Sequence, residues 1–434
     1  MRISAKWTAV LAACAMALLR STDAQTLAWG RFSLYVQSSR SVQDGGFSST
    51  VSDYIGSFTL RSSTNENGGF EYAVDARGAD YTGAFQQTQV SIYDAYVGYR
   101  TQGGGFGLRL GQMWLNDLGA LGAFGGVLGE YRSQPTSVGR FRFGLFAGLE
   151  PNLLTAGFVN GVKKGGGYAA LDGHNGGRLV LGLVGIRNNN VTERQVATLL
   201  GFLPGGTRFF AYGSAEYDIK GPAGTSNTGL NYYFASIRYA PSQTIDFQGT
   251  FHHGLSIDAR TITNDEINGR PVDPRLLTGF LYESAGGRVT VMLSNHVRAW
   301  GGYARDKTNM EAQSTGRVNA GFWASNIFGT HLDFTVSDNR FTGPTNRYDS
   351  WYTSLGASLG RSVYLSADYT TSLSTVTFTD SGGVVVTSRP QTKRYSLSSN
   401  INLSRTFSLM LTAERIKEDT GHQDRGIAGF SVRF

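Results

Sequence analysis

The chain has 434 residues, one cysteine, 58 glycines and 16% charged side chains, and its 39 basic and 32 acidic residues give a net charge of +7. One cysteine excludes a disulfide framework, and an aromatic content of 12% excludes an intrinsically disordered chain. The mean hydropathy of -0.20 excludes a membrane protein built from several helices, and the scattered basic residues argue against nucleic-acid binding.

The first 24 residues have the pattern of a secretory signal peptide. A short positive segment precedes an apolar stretch from Trp7 to Leu19, and small residues allow cleavage after Ala24. We therefore predict a signal peptide at residues 1–24 and a mature domain at residues 25–434. The segment Leu11–Cys14 also matches the lipobox of lipoproteins, but its apolar core would be only about seven residues, so lipidation of Cys14 is the less favoured alternative.

After Gln25, apolar and polar residues alternate in segments of about ten residues, a pattern typical of strands that have one apolar and one wet face. A permissive count predicts about 22 strands, and the chain length allows roughly 16 to 22. The alternation is poor in segments 167–172 and 190–202, and segment 178–187 is apolar on both faces. The predicted segments are 27–37, 50–61, 68–78, 88–101, 105–113, 127–134, 139–149, 167–172, 178–187, 190–202, 206–218, 229–241, 243–253, 282–294, 297–305, 316–326, 329–337, 348–359, 361–373, 389–401, 403–414 and 425–434.

The connections between these segments alternate in length, being long after odd segments and tight after even ones. This pattern predicts an all-β fold, a single transmembrane antiparallel β-barrel with short periplasmic turns and longer extracellular loops. The longest connection, residues 254–281, contains Pro271 and Pro274, which argue against a strand, and we expect it to cover the outer mouth or to fold inside. The stretch Asp117–Gly126 is predicted to be an outer loop or an inward-folded segment.

The last segment ends in GIAGFSVRF and places Phe430, Val432 and Phe434 on one face. It resembles the closing strand of Gram-negative outer-membrane β-barrels, which the barrel-assembly machinery recognises. The segments Ser91–Arg100 and Phe106–Gly111 resemble neighbouring strands of porins, although no specific porin family is indicated. The resemblance implies a location in the bacterial outer membrane, with membrane lipid, the assembly machinery and small polar solutes as partners. It leaves a homo-oligomer open.

The two faces of the predicted strands differ in chemistry. A charge that faces the lipid midplane costs roughly 2 to 4 kcal/mol, so charged residues inside strands should face a hydrated lumen. Arg109, Arg140 and Arg142 could together form a positive constriction. The predicted lipid-facing residues include Phe32, Leu34, Val36, Phe58, Leu60, Leu145, Val291, Leu293, Leu409, Leu411, Phe430 and Val432. The predicted pore-lining residues are Arg77, Arg100, Arg109, Arg140, Arg142, Arg238, Arg288, Arg317, Asp75, Asp94, Glu216, Asp246, Asp333 and Asp368.

The sequence predicts no catalytic, cofactor or metal site. Phosphate-binding, haem-attachment and CxxC motifs are absent, and the six histidines are scattered. The sequence therefore favours a porin-like channel for passive diffusion of small polar solutes. Two alternatives remain: a structural barrel or sheath for an exported partner in electron transfer or polymer export, and a barrel-embedded hydrolase that uses His331, Asp333 and Ser337.

Overall fold

The computed structural model describes residues 28–62, 68–82, 87–222, 228–379 and 384–434. The predicted signal peptide, with Cys14, lies outside the described residues. Antiparallel strands make up most of the described chain. Their bounds are β1 (Ala28–Gln43), β2 (Ser48–Ser62), β3 (Gly69–Tyr81), β4 (Gln87–Arg100), β5 (Phe106–Trp114), β6 (Ala123–Arg132), β7 (Arg140–Pro151), β8 (Phe158–Asp172), β9 (Arg178–Asn188), β10 (Val191–Gly205), β11 (Phe209–Lys220), β12 (Gly229–Tyr239), β13 (Ile245–Ser256), β14 (Phe280–Ser294), β15 (Val297–Thr308), β16 (Thr315–Ala324), β17 (Leu332–Thr342), β18 (Asn346–Leu359), β19 (Val363–Thr379), β20 (Val385–Ser388), β21 (Gln391–Asn402), β22 (Phe407–Glu418) and β23 (Gly421–Arg433).

These 23 segments make 22 crossings, because β20 and β21 are two parts of one crossing and both pair with β19. Arg389 and Pro390 separate the two parts. Proline has no N–H to donate to the ladder, which accounts for the interruption. The number of crossings is even and equals the upper limit predicted from the alternation.

The sheet closes on itself through β1 and β23. The closing strand pairs with β22 on one side and with β1 on the other, in a register that places Phe32 opposite Val432 and Leu34 opposite Phe430. Each remaining strand pairs with its neighbours in the chain. A closed ladder leaves no strand edge unpaired, which is the condition for a β-structure to span a bilayer. The predicted all-β barrel is confirmed.

Each predicted segment corresponds to one crossing of the barrel, but several strands are longer than predicted. The largest difference is β8, which begins at Phe158 rather than at residue 167. Its missing half contains Gly161, Gly165 and Gly166, and glycines hide the alternation because they add no side chain to either face.

The two ends of the cylinder differ. At the end that carries Phe434, here called the proximal end, the N–H of Gly30 donates to the carbonyl of Phe434 at 2.8 Å, and the Phe434 ring lies so close to Gly30 that an added Cβ would displace the ring. The opposite end, here called the distal end, carries the long connection 257–279, which contains helices α1 (Ala259–Ile267) and α2 (Pro274–Thr278). The difference in loop length between the two ends is mainly due to this one connection, because other distal connections, such as 189–190, are short.

The outer face is apolar and exposed over the proximal and middle parts of the strands. Leu145 is 74% exposed and Leu293 is 63% exposed. The register places all the predicted lipid-facing residues on this face, in phase with Phe32 and Phe58, which pair across β1 and β2. In the described part of the chain, no helix is long and apolar enough to cross a membrane.

Part of the inner face is also apolar. After β5 the chain turns inward, and residues Asn116–Gly122, here called the inward segment, contact β9 and β10 from inside the barrel. Leu118 and Leu121 of this segment pack against Val180 and Val184 in a buried cluster. This packing explains why segment 178–187 is apolar on both faces: one face meets lipid and the other meets the inward segment.

Candidate functional site

The inner face of the barrel carries all the predicted pore-lining residues. Strand register and side-chain contacts place each of them there, but in different surroundings. Arg100, Arg109 and Arg142 lie in one buried network, whereas the others are distributed around the wall. Arg61 forms ion pairs with both Asp75 and Asp94, and Arg194 forms ion pairs with both Glu216 and Asp218. Asp368 accepts a hydrogen bond from Tyr352, and Asp333 accepts one from the backbone N–H of Asn326. Arg77 lies opposite Ser91 in the strand register.

The buried network begins at Arg100, which is only 2% exposed in its side chain. Its Nε lies 2.8 Å from Oε1 of Glu71, and its Nη2 lies 2.9 Å from Oε1 of Glu130. Arg109 reaches the other oxygen of Glu71 at 2.7 Å, and Arg132 reaches Glu130 at 2.8 Å. Arginine suits this arrangement because its planar group donates to two carboxylates at once.

The network continues to the inward segment through Arg142. This guanidinium donates to Asp117 of the inward segment at 2.9 Å and to Asp172 of β8 at 2.5 Å, and it lies 3.4 Å from Glu130. Arg178 donates to the other oxygen of Asp117 at 3.0 Å. Asp117 therefore fixes the inward segment to two neighbouring parts of the wall, in addition to the apolar contacts of Leu118 and Leu121.

The expected positive constriction does not form at Arg109 and Arg142. Their charges are neutralised by Glu71, Glu130 and Asp117 within the network, and their side chains are only 15% and 10% exposed. Sequence reasoning missed the carboxylates because Glu130, Asp117 and Asp172 come from three separate parts of the chain. Strand pairing brings Glu130 near Arg142 through β6 and β7, which no spacing in the sequence reveals.

Helix α1 of the long connection is also folded inside the barrel. The sequence predicts this as one of two positions for the connection, the other being a cover over the outer mouth. Arg260 donates to Glu193 of β10 at 2.6 Å and to Glu150 of β7 at 3.0 Å. Burial alone would lower the pKa of Arg260, but the hydrogen bond that Arg260 donates to Glu193 and the charge of Glu150 raise it above its usual value.

Two further contacts hold α1 against the wall. Ile262 is fully buried, and Asn264 accepts a hydrogen bond of 2.8 Å from Asn188 at the end of β9. Asp258 caps the helix by accepting from the N–H of Thr261 at 3.0 Å. The inward segment and α1 therefore cover the same side of the lumen, that of β7 to β10.

The opposite wall is uncovered and hydrophilic. From β17 to β21 the inner positions are occupied mainly by hydroxyl and amide side chains, which neither fill the lumen nor form an ion-pair network. These residues are Ser337, Asn339, Ser350, Tyr352, Ser354, Ser366, Thr370, Ser372, Ser396 and Ser398. Such a wall can hydrogen-bond passing water and solutes along its length.

Between the two sides, the proximal part of the lumen holds a recess of about 810 Å³ lined by arginine and tryptophan. The Arg288 guanidinium lies 5.0 Å from the ring centre of Trp300, and that of Arg298 lies 5.1 Å from the ring centre of Trp323. Neither arginine forms an ion pair with a described residue. Both keep an uncompensated positive charge at the lumen surface.

Two neighbouring arginines of the same wall are paired. Arg238 pairs with Asp246, and Arg317 pairs with Asp306 at 2.5 Å. Trp300 and Trp323 were not predicted as inner residues, because an aromatic side chain in an alternating strand normally indicates the lipid-facing side. The signal that could have found them is their position in phase with Arg298, on the charged face of β15 and β16.

The residues proposed for a hydrolase do not come together. His331 lies in the connection before β17, with φ of 59°, whereas Ser337 lies on the inner face opposite Tyr352. In the part of the chain that the structure describes, no hydrogen bond joins His331 to Asp333 or Ser337. His252 and His253 lie on opposite faces, as expected for neighbours on a strand.

No protein-family model matches the chain. No curated protein matches it either. Among solved structures, the chain is similar to Acinetobacter baumannii OccAB1, at 8% identity over 96% of this chain and 99% of that chain, with a TM-score of 0.46. It is similar to Pseudomonas aeruginosa OccK8 (OprE) at 7% identity over 95% and 100% of the two chains, with a TM-score of 0.45. It is also similar to the P pilus usher (PapC) translocation pore, at 11% identity over 93% and 99%, with a TM-score of 0.45. At these levels of similarity, the fold assignment rests on the strand pairing of the chain itself.

Proposed function

We propose that the chain is an outer-membrane channel through which small polar solutes diffuse passively. The observation that carries this proposal is the division of the inner wall. The inward segment and α1 cover one side, while the side of β17 to β21 presents uncovered hydroxyl and amide groups. A barrel of 22 crossings is wide, and among the described residues the inward segment and α1 narrow it on the side of β7 to β10.

The membrane location is supported by the outer face. In the proximal half of the strands the outer surface is apolar, and the charged residues lie on the inner face, for example Arg61, Arg100 and Arg298. An apolar outer surface of this kind fits the hydrocarbon layer of a membrane and not water. We further propose that residues 1–24 are an export signal, so that the mature domain is 25–434.

The closing strand fits a role in assembly. Phe430 lies on the outer face in contact with Phe32 and Phe407, with ring centres 5.8 Å and 6.0 Å apart, and Val432 shares that face. We propose that Phe430, Val432 and Phe434 are recognised by the barrel-assembly machinery. Replacing Phe434 with alanine should reduce the amount of assembled barrel in the membrane, and an unchanged amount would contradict this role.

A sheath for an exported partner is the competing function. The inward segment and α1 occupy the space that a threaded partner would need, and buried ion pairs hold both in place. This favours the channel. Liposome swelling with uncharged sugars distinguishes the two: a channel gives swelling that slows as the sugar grows, whereas a sheath gives none until its partner is added.

A further inference from the structure

The outer face of the barrel carries a cluster of cations near the distal end of β1 and β21 to β23. Strand register places Lys393 opposite Lys417 and Arg415 opposite Asp424, which in turn faces Arg40. All five side chains point away from the lumen, in phase with the lipid-facing residues of the same strands. We call Arg40, Lys393, Arg415 and Lys417 the basic cluster.

The charges of the basic cluster are not balanced within the barrel. Asp424 is the anion of this patch, and Arg415 holds both its oxygens, at 2.6 Å and 2.8 Å. Lys393 and Lys417 form no ion pair with a described residue, although they are directly opposite on neighbouring strands. Like charges in this position repel each other, so an external anion between the two lysines would relieve the repulsion.

A groove of about 880 Å³ lies on the outer face beside the basic cluster, with Arg40 and Arg415 among its lining residues. Its floor contains the small residues Ala413 and Gly426, which are neighbours across the sheet, and Ala367 lies in the same row on the other side of Leu397. These residues lie two positions closer to the proximal end than the row of Arg415, or roughly 7 Å along the strands.

The walls of the groove are apolar. Leu355 and Leu397 are 49% and 61% exposed, and the rings of Tyr369 and Tyr395 lie 5.2 Å apart beside them. A trough with an apolar wall beneath a group of cations matches a molecule with an anionic head and hydrocarbon chains. Arg40 lies one row from this floor, and the two lysines lie two rows from it, so the anionic head would lie roughly 7 to 14 Å along the strands from the floor.

We propose that this surface binds a phosphorylated, multiply acylated glycolipid of the outer leaflet. Its phosphates would lie between Lys393, Lys417 and Arg40, and one acyl chain would occupy the groove over Ala413. The distal end faces the outer leaflet because it carries the long connection 257–279. The inference rests on the proposed membrane location and not on channel activity.

The test is native mass spectrometry of the purified mature barrel in detergent with Kdo2-lipid A. The wild-type barrel should retain the lipid, and the K393Q/K417Q variant should bind it about tenfold or more weakly, since each cation near a charged lipid surface contributes on the order of 1 kcal/mol. The matched control is R340Q/R347Q, which removes two outward arginines that Asp338 and Asp349 already neutralise. It should leave binding unchanged.

Two further experiments distinguish the contribution of the lipid headgroup from that of its acyl chains, and distinguish this glycolipid from other anionic lipids. The A413L variant fills the groove without changing charge and should also weaken binding, while dephosphorylated lipid A and phosphatidylglycerol should bind poorly to the wild type. Equal retention by K393Q/K417Q and wild type would overturn the proposal, as would equal binding of phosphatidylglycerol. Heat-modifiable gel mobility shows that each variant is folded. Failure of channel activity with intact lipid binding would contradict only the proposed function.

Discussion

Arg100 and Glu130 form an ion pair of 2.9 Å inside the barrel, although their side chains are only 2% and 4% exposed. The two residues belong to β4 and β6, which are not neighbours in the sheet but lie on either side of β5. The pair therefore spans an intervening strand at Gly107, whose missing side chain leaves room for the Arg100 guanidinium. It connects Glu71 on one side with Arg142 and the inward segment on the other.

Glu130 should be the most sensitive position of the network. Replacing it with glutamine leaves Arg100, Arg132 and Arg142 without a common anion, and breaking a buried pair costs about 3 to 5 kcal/mol. We expect E130Q to lower the free energy of unfolding by roughly this amount, as measured by urea titration in lipid vesicles. The control is R347Q, which removes an exposed pair and should cost less than about 1 kcal/mol. Equal losses for the two variants would contradict a structural role for the network.

Asp117 should determine how firmly the inward segment is held. D117N removes the charge that Arg142 and Arg178 share, and hydrogen bonds to charged groups contribute about 1.5 to 3 kcal/mol each. The detached population of the segment should rise at least about tenfold. Single-channel recordings should show a larger and noisier open current. D44N, in an exposed distal turn, should behave like the wild type, and a quiet D117N channel of unchanged current would count against this role.

The helix α1 should obstruct the lumen independently of the inward segment. Deleting residues 260–275 removes Arg260 and its contacts to Glu193 and Glu150, and we expect the conductance to rise. The R260Q variant should give a smaller increase, because Ile262 and Asn264 still contact the wall. Unchanged conductance after the deletion would show that the helix does not lie in the path of the ions.

Arg288 and Arg298 should give the channel a moderate preference for anions. Both project uncompensated charge into the lumen, whereas Arg238 and Arg317 are neutralised by carboxylates. The R288Q/R298Q variant should shift the zero-current potential in a salt gradient toward the value for no selectivity, and the shift should shrink at high salt because mobile ions screen the charges. T290V, on the same wall, is the uncharged control. A preference for anions that survives the double substitution would assign selectivity to other residues.

The sequence predicted the number of crossings, most strand positions and the direction of the side chains, because a period of two is a local property that each strand shows by itself. The prediction from the sequence missed strand residues where glycines add no side chain to either face and where a proline interrupts the hydrogen-bond ladder. Residues 158–166 of β8 were missed because of glycines, and β20 was missed because Pro390 separates it from β21.

The interior was harder to predict than the wall. A charged residue in an alternating strand indicates the inner face, but not whether it meets water or another side chain. Arg142 lies on the inner face, yet its contacts depend on Asp117, which belongs to a segment with no periodic pattern. The apolar inner face of β9 departs from the alternating pattern, and its contact with Leu118 and Leu121 explains the departure.

The most direct test of the channel is the current carried by the purified wild-type barrel in a planar lipid bilayer. An uncovered polar wall along β17 to β21 predicts discrete, long-lived open steps that add with each inserted molecule and vary linearly with voltage. A folded barrel, verified by its heat-modifiable mobility, that inserts and carries no current would contradict the account.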